Sequence, residues 1–121
     1  MCIRVLLAED VELVRKAIGV LLSEREDITL VGEAATFSEG VQKAEELLPD
    51  VIVLDLHMAD GANENLPAGP KLLAISFANG DEAKASADRI GALKLLDKME
   101  LANELIPAIL ELAPTQTMQP G

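Results

Sequence analysis

Five short apolar runs, separated by longer amphipathic segments, constrain the fold of this chain more than any other feature. The runs are residues 3–8, 28–34, 51–56, 72–76 and 93–96, of which 28–34 is the most polar. Nearly continuous apolar runs of this length are typical of strands that are buried on both faces, as parallel sheets require. Strands that alternate with helices predict a doubly wound α/β domain built on a parallel sheet.

Four segments between and after these runs carry helical patterns. Residues 11–25 repeat apolar side chains at the spacing of a helix that buries one face. Thr36 and Glu39 form a capping-box pattern that starts a second helix, which ends before Pro49. Residues 81–90 form a third, with Gly91 as its stop. Residues 101–113 form a fourth, in which Pro107 requires either a later start or a bend.

The connection between the runs at 51–56 and 72–76 lacks a helical pattern. Residues 57–70, HMADGANENLPAGP, contain two prolines, two glycines and two asparagines, a composition that favours turns. In a helix interior each glycine costs about 1 kcal/mol relative to alanine, and each proline about 3. The sequence therefore predicts an irregular loop, with at most one helical turn near Glu64. It also predicts a gap between the helical segments on either side.

Length and charge limit the classes of function. The 121 residues suit one domain, assigned to residues 1–113, with residues 114–121 as a flexible tail. A formal net charge of −11 disfavours nucleic acid and anionic membrane surfaces as partners. The single cysteine, Cys2, permits no internal disulfide, and no segment is typical of a signal peptide or a membrane span. These features predict a cytoplasmic protein.

Polar residues stand at the carboxyl ends of the runs, where open parallel sheets bind ligands. They are Glu9 and Asp10 after the first run, Asp55 in the third, Ser76 in the fourth and Lys98 after the fifth. Packed carboxylates repel one another unless a cation joins them, and oxygen ligands suit Mg²⁺. Such an ion, an ammonium and a hydroxyl would stabilise a phosphoryl group that a carboxylate attacks. The pattern predicts phosphoryl transfer to aspartate.

Each of these residues also has a structural interpretation. An acidic pair before a helix is often a cap, a serine often ends a strand, and most lysines are solvated. Their shared position at one sheet edge favours a site. His57 is the only histidine, so zinc is improbable, and its backbone carbonyl rather than its side chain is the candidate metal ligand.

The segments RVLLAEDVELVRKAIGVLL, PDVIVLDLHM, LLAIS and GALKLLDK resemble the receiver domain of two-component response regulators, a bacterial signalling family. They are most similar to receivers that precede helix-turn-helix domains. The resemblance implies a flavodoxin-like, five-stranded parallel sheet in the order 2-1-3-4-5, here with the third helix shortened or missing. It implies that Asp55 accepts a phosphoryl group from a sensor histidine kinase or phosphotransfer protein.

The same resemblance assigns roles to the other site residues. Glu9, Asp10, Asp55 and the carbonyl of His57 would bind Mg²⁺. Ser76 and Lys98 would contact the aspartyl phosphate and, with Asp55, form the catalytic set. The domain would be a phosphoacceptor first, with at most slow Mg²⁺-dependent autophosphatase activity.

Four positions depart from the family pattern and affect the relay from the site to the surface. Leu95 replaces the aromatic switch residue, and Ala59 replaces a frequent proline. Phe77 stands where the residue is usually small, so its ring is expected to crowd the site or replace the missing ring. Met99 replaces the proline after the lysine, so the preceding peptide bond is expected to be trans.

Three functions are compatible with these features. The leading one is a single-domain receiver that signals by contact with a downstream protein partner. The alternatives are a non-catalytic receiver-like interaction module and the amino-terminal half of a transcription regulator. A homodimer is a further hypothesis, because Leu13 and Val20 on the first helix and Leu110 on the last lie outside the core stripes.

Overall fold

The computed structural model describes residues 2–60, 62–78 and 80–113, which form five strands and four α-helices. The strands are β1 (Ile3–Ala8), β2 (Ile28–Ala34), β3 (Val51–Asp55), β4 (Lys71–Ser76) and β5 (Lys94–Asp97). The helices are α1 (Glu12–Ser23), α2 (Phe37–Leu47), α3 (Asp81–Arg89) and α4 (Leu101–Leu112). Every predicted strand and helix is confirmed. The predicted tail, residues 114–121, lies outside the described residues.

The five strands form one parallel sheet in the order β2-β1-β3-β4-β5, which confirms the flavodoxin-like arrangement. Strand order reverses at β1, which pairs with β2 on one side and β3 on the other. The register pairs Ala8 with Leu54, Asp55 with Ile75 and Ser76 with Asp97. The carboxyl ends of β1, β3, β4 and β5 therefore meet at one edge of the sheet.

Helices cover both faces of the sheet, and the alternation of strand side chains divides the core between them. Val5 and Leu7 of β1 face a core that α1 and α4 complete. Leu6 and Ala8 face the opposite side, where α2 and α3 contribute small residues such as Ala44. Burial on both faces explains why β1, β3 and β4 are nearly continuous apolar runs.

Local signals at the helix ends agree with the structure except at Pro107. The Thr36 hydroxyl accepts a hydrogen bond from Glu39 N at 3.1 Å, the predicted cap of α2. Gly91 follows α3 with φ of 83°, in the left-handed region that favours glycine. The later start considered for the last helix is wrong, because α4 begins at Leu101 and includes Pro107. Burial of Leu101, four residues before the fully buried Leu105, favours that earlier start.

The crossover between β3 and β4 contains no α-helix within its described residues, as the sequence predicted. A 3-10 turn at Leu56–Ala59 follows β3 directly, and residues 62–70 belong to no helix or strand. The turn lies before Glu64 rather than near it, because Asp55 accepts a hydrogen bond from His57 N and so starts the turn.

Among the described residues, no helix is long and apolar enough to span a membrane.

Candidate functional site

The structure brings the predicted site residues together at the carboxyl edge of the sheet. Glu9 and Asp55 are almost completely buried, at 0% and 3% exposure, whereas Asp10 is exposed. Oxygen atoms from these three carboxylates lie within 4.8 Å of one another. Ser76, at the end of β4, is also buried. The edge therefore carries an acidic site with two buried carboxylates and one that faces solvent.

Lys98 extends into this acidic cluster from the end of β5. Its Nζ atom lies 2.8 Å from Glu9 Oε1 and 3.3 Å from Asp55 Oδ2, and its side chain is 5% exposed. Glu9 Oε1 has no hydrogen bond of normal geometry among the described residues, so its contact with Lys98 is an ion pair. Burial of such charges is tolerated only when they are paired. Lys98 is thus a member of the site and not a solvated surface lysine.

The charges and donor atoms of the cluster fit a hard divalent cation. Three carboxylates and one ammonium give a formal charge of −2 when all four groups are ionised. All the candidate ligand atoms of the carboxylates are oxygens, which Mg²⁺ and Ca²⁺ prefer as ligands. Asp10 supplies the exposed side through which a hydrated ion would enter.

The capping interpretation of the acidic pair is not supported. Neither acidic residue is the N-cap of α1, which is Val11, a residue whose own side chain makes no capping hydrogen bond. Glu9 accepts a hydrogen bond from Val11 N at 3.0 Å through Oε2, while its other oxygen faces Lys98. The short link between β1 and α1 therefore orients Glu9 toward the site.

Burial and mutual repulsion change the acidity of the two aspartates. Desolvation, the charge of Glu9 and a hydrogen bond with Asp10 raise the pKa of Asp55 to about 6, although Lys98 opposes the shift. The hydrogen bond with Asp55 lowers the pKa of Asp10, and Glu9 and Lys98 lower it further. In mild acid the two aspartates therefore hold one proton between them, mainly on Asp55. A cation bound at the same position would neutralise the same negative charges.

His57 contributes its backbone to the site and its side chain to solvent. His57 N donates to Asp55 Oδ1 at 3.1 Å, and its carbonyl accepts from Asp60 N at 3.2 Å. The imidazole is 82% exposed and lies 3.2 Å from the Asp60 carboxylate. The expectation that the side chain faces solvent is confirmed.

Ser76 and Phe77 border the site at the end of β4. The Ser76 hydroxyl accepts a hydrogen bond from Ala78 N at 3.0 Å, which holds the start of the loop after β4. The Phe77 ring is 60% exposed, and its centroid lies 5.1 Å from Lys98 Nζ, a cation–π distance. The unusual phenylalanine therefore contacts the site lysine directly. Whether it replaces the absent aromatic at Leu95 stays a prediction.

Arg15 is a supporting residue that the sequence reasoning missed. From α1 it donates to the Glu9 carbonyl at 2.7 Å and lies 3.5 Å from the carboxylate of Glu33 on β2. It thereby fixes the backbone that carries Glu9. Its position four residues after Val11, on the side of α1 that turns back toward β1, is the only sequence signal for this contact.

The fold and this site define the class of protein: the chain belongs to the receiver domains of response regulators. No protein-family model matches the chain. It is 38% identical over 114 residues to the transcriptional regulatory protein LiaR of Bacillus subtilis, a match that covers 88% of this chain and 54% of LiaR. It is also 38% identical over 96 residues to the response regulator protein VraR of Staphylococcus aureus, covering 73% of this chain and 46% of VraR.

Solved structures of receiver domains share the fold of this chain. The signal receiver domain of the putative response regulator NarL from Mycobacterium tuberculosis superimposes with a TM-score of 0.78 and 25% identity, covering 91% of this chain and 94% of that one. The response regulator domain of Thermotoga maritima CheB superimposes with a TM-score of 0.78 and 25% identity. The match covers 99% of this chain and 100% of that one. The chain spans about half the length of the curated relatives it matches.

Proposed function

We propose that this receiver acts in phosphorelay signal transduction, accepting a phosphoryl group on Asp55 from a sensor histidine kinase or phosphotransfer protein. The observation that carries the proposal is the position of Asp55. It is a buried carboxylate at the end of the central strand, beside two further carboxylates and 3.3 Å from Lys98 Nζ. The phosphorylated domain then signals by contact with another protein in the cytoplasm.

Magnesium is the cation we propose for the site, held by Asp10, Asp55 and the His57 carbonyl, with Glu9 assisting. When bound, it would neutralise charge on the oxygens of the incoming phosphoryl group. The ligand set rests on the all-oxygen donors and the formal charge of −2 described above.

The protein's own residues account for the rest of the transfer. An ionised Asp55 oxygen attacks phosphorus in line, an O–P bond forms as the N–P bond of the phosphohistidine breaks, and the leaving imidazole takes up a proton. Lys98, already beside Asp55, forms an ion pair with the phosphoryl oxygens. The Ser76 hydroxyl donates a hydrogen bond to one of them. Hydrolysis of the product would be slow and incidental.

The test is chemical labelling with a small phosphodonor. The protein is incubated with Mg²⁺ and acetyl phosphate and examined by intact mass spectrometry. We expect a single phosphoryl adduct that is stable in acid and labile in base, as an acyl phosphate is. If no adduct forms while the protein is folded, the non-catalytic interaction module becomes the better interpretation.

A role as the amino-terminal part of a transcription regulator is a second candidate. It is favoured because LiaR, similar over 88% of this chain, is a transcriptional regulatory protein. In that case the described residues keep the phosphoacceptor role. Contact with DNA would require other residues, because the net charge of −11 repels a phosphate backbone.

Removal of the exposed aspartate tests the proposed metal site. Asp10→Ala is expected to weaken Mg²⁺ binding at least about tenfold, or about 1.4 kcal/mol, because the formal charge of the cluster falls from −2 to −1. Titration calorimetry measures both affinities. The control is Asp88→Ala, which removes an exposed carboxylate from α3. Equal affinities in Asp10→Ala and the unchanged protein would contradict the assignment.

The outer face of α1 and α4 leads to a prediction about association. Leu13 and Val20 are 79% and 64% exposed on α1, and Leu110 is 38% exposed on the neighbouring α4. We expect a homodimer that buries this face, since exposed apolar patches often mark contacts. Light scattering should show a mass that rises with concentration, and Val20→Glu should keep the protein monomeric.

The matched control for this variant is Leu48→Glu, which changes another exposed apolar residue at the end of α2. It is expected to leave the dimer intact. The dimer hypothesis fails if the unchanged protein stays monomeric at high concentration, both with and without phosphodonor.

A further inference from the structure

A groove lies between α2 and α3, where a helical crossover would otherwise pack against the sheet. Its volume is about 560 Å³, within the range of ligand-binding clefts. Buried apolar residues at its base come from β3, β4 and the 3-10 turn, and half-buried ones come from α2, the crossover and the end of α3. The buried residues are Ile52 on β3, Leu72 on β4 and Leu56 on the turn. The half-buried ones are Phe37 on α2, Leu66 on the crossover and Ile90 at the end of α3.

The protein's own crossover is unable to fill this groove with a helix. Pro67 and Pro70 both lack a backbone N–H, and Gly69 has φ of 118°, a conformation that helices do not contain. The exposed residues 62–65 lie in the same irregular segment and include no large apolar side chain. The chain's own crossover therefore leaves the groove unfilled, and its accessible apolar surface comes from the half-buried Phe37, Leu66 and Ile90.

The groove adjoins a second cavity that lies beside the proposed phosphoacceptor site. A smaller cavity of about 200 Å³, lined in part by His57 and Ser76, shares Leu56, Asp60 and Ser86 with the groove. The 3-10 turn at Leu56–Ala59 thus borders both spaces. Because His57 N on this turn donates to Asp55 Oδ1, a change in the charge of Asp55 acts on the same turn that forms the groove wall.

Charges at the rim indicate the chemistry of the occupant. Asp60 and Glu64 lie on the crossover side, and Arg89 lies across the groove at the end of α3. An apolar base with charged sides matches an amphipathic helix, which buries one face and exposes charges along its flanks. The two carboxylates favour basic residues on the flank near the crossover. The net charge of −11 adds to that preference.

We propose that the groove binds an amphipathic helix of a partner protein, with its apolar face on the sheet and basic residues toward Asp60 and Glu64. Phosphorylation of Asp55 changes the affinity of this contact through the 3-10 turn. The second statement rests on the proposed function, whereas the docking site itself does not. A helix bound here would take the place that the crossover leaves open.

The test uses two designed peptides of about 18 residues, longer than the ~12–15 at which isolated helices become marginal in water. Both carry the same leucine and alanine face, but the polar residues are lysine in one and glutamate in the other. With ¹³C-methyl labelling, the lysine peptide is expected to shift the NMR signals of Ile52, Leu66, Leu72 and Ile90 in a saturable way. Signals from Leu13, on the opposite face, should not move.

Two variants make the assignment specific. Leu66→Gln replaces an apolar contact on the half-buried groove wall with an uncharged amide and is expected to weaken binding at least about tenfold. Leu48→Gln is the matched control and should bind as the unchanged protein does. Glu64→Lys alters an exposed residue and should move the preference toward the glutamate peptide, which a general loss of folding would not do.

The remaining outcomes separate the two parts of the proposal. If the lysine peptide shifts NMR signals across α1 and α4, or shifts none at all, the proposed docking site is wrong. Groove signals that change with protein concentration alone would assign the groove to a second copy of this chain and would overturn it too. Equal affinity before and after acetyl phosphate treatment, with the adduct present by mass, overturns the coupling to Asp55. Failure of the adduct to form overturns the proposed function and this coupling together, but leaves the docking site supported by the mapping.

Discussion

Asp55→Asn is expected to abolish the phosphoryl adduct that acetyl phosphate and Mg²⁺ produce on the unchanged protein. An amide has nearly the same shape as the carboxylate but provides no anionic oxygen to attack phosphorus. The other carboxylates of the cluster differ in position, since Glu9 follows the neighbouring strand β1 and Asp10 faces solvent. Intact mass spectrometry of the two proteins, treated side by side, measures the difference.

The control for this variant is Asp60→Asn, which changes an exposed carboxylate immediately after the same 3-10 turn. It should be labelled to the extent of the unchanged protein. Labelling of Asp55→Asn to that same extent would show that another residue is the phosphoacceptor.

The same substitution is expected to stabilise the metal-free protein at neutral pH. The pKa of Asp55 is raised from 3.8 to about 6, so between these values the folded state binds more protons than the unfolded state. Stability therefore falls as the pH rises from 3.8 to about 6. Above that range the full cost of keeping Asp55 ionised in the folded state is present, about 3 kcal/mol at 1.36 kcal/mol per pKa unit. Since the lowered pKa of Asp10 opposes this term, we expect Asp55→Asn to gain about 1–3 kcal/mol at pH 7.

Urea unfolding in the presence of a chelator, at several pH values from about 4 to 7.5, measures this effect. The gain should be largest at neutral pH and should shrink toward pH 4, where Asp55 is protonated in the folded state and already partly protonated in the unfolded state. Saturating Mg²⁺ should also reduce it, because binding stabilises the unchanged protein by mass action. Asp88→Asn controls for the loss of one negative charge. A gain in Asp55→Asn that is the same at every pH would contradict the explanation.

The strands and the site composition were predictable because both depend on strong local patterns. Strands buried on both faces require continuous apolar runs, and their order in the chain determines which polar residues follow them. The parallel arrangement then brings Asp55, Ser76 and Lys98 to one edge, with the register pairing Ser76 and Asp97. The irregular crossover was predictable for a related reason, since Pro67, Gly69 and Pro70 stand within four residues and together strongly disfavour a helix.

Other features depend on contacts between distant residues and left little trace in the sequence. The 3-10 turn starts at Leu56 because the Asp55 side chain bonds His57 N, a contact that competes with local propensity. Arg15 supports Glu9 only because α1 packs beside β1 and β2. Pro107 is accommodated within α4 because Leu101 and Leu105 are buried against the sheet, and sequence alone does not weigh that burial against a lost hydrogen bond.

The irregular crossover also determines where this fold is able to change in evolution. Residues 62–65, 68 and 69 are exposed and lie outside every helix and strand, so an insertion or deletion there disrupts neither the pairing of β3 with β4 nor the acidic cluster. Substitutions along the same segment would reshape one wall of the groove. If the groove binds a partner as proposed, partner choice and phosphoryl chemistry depend on separate stretches of sequence, and a lineage is free to change one while it keeps the other.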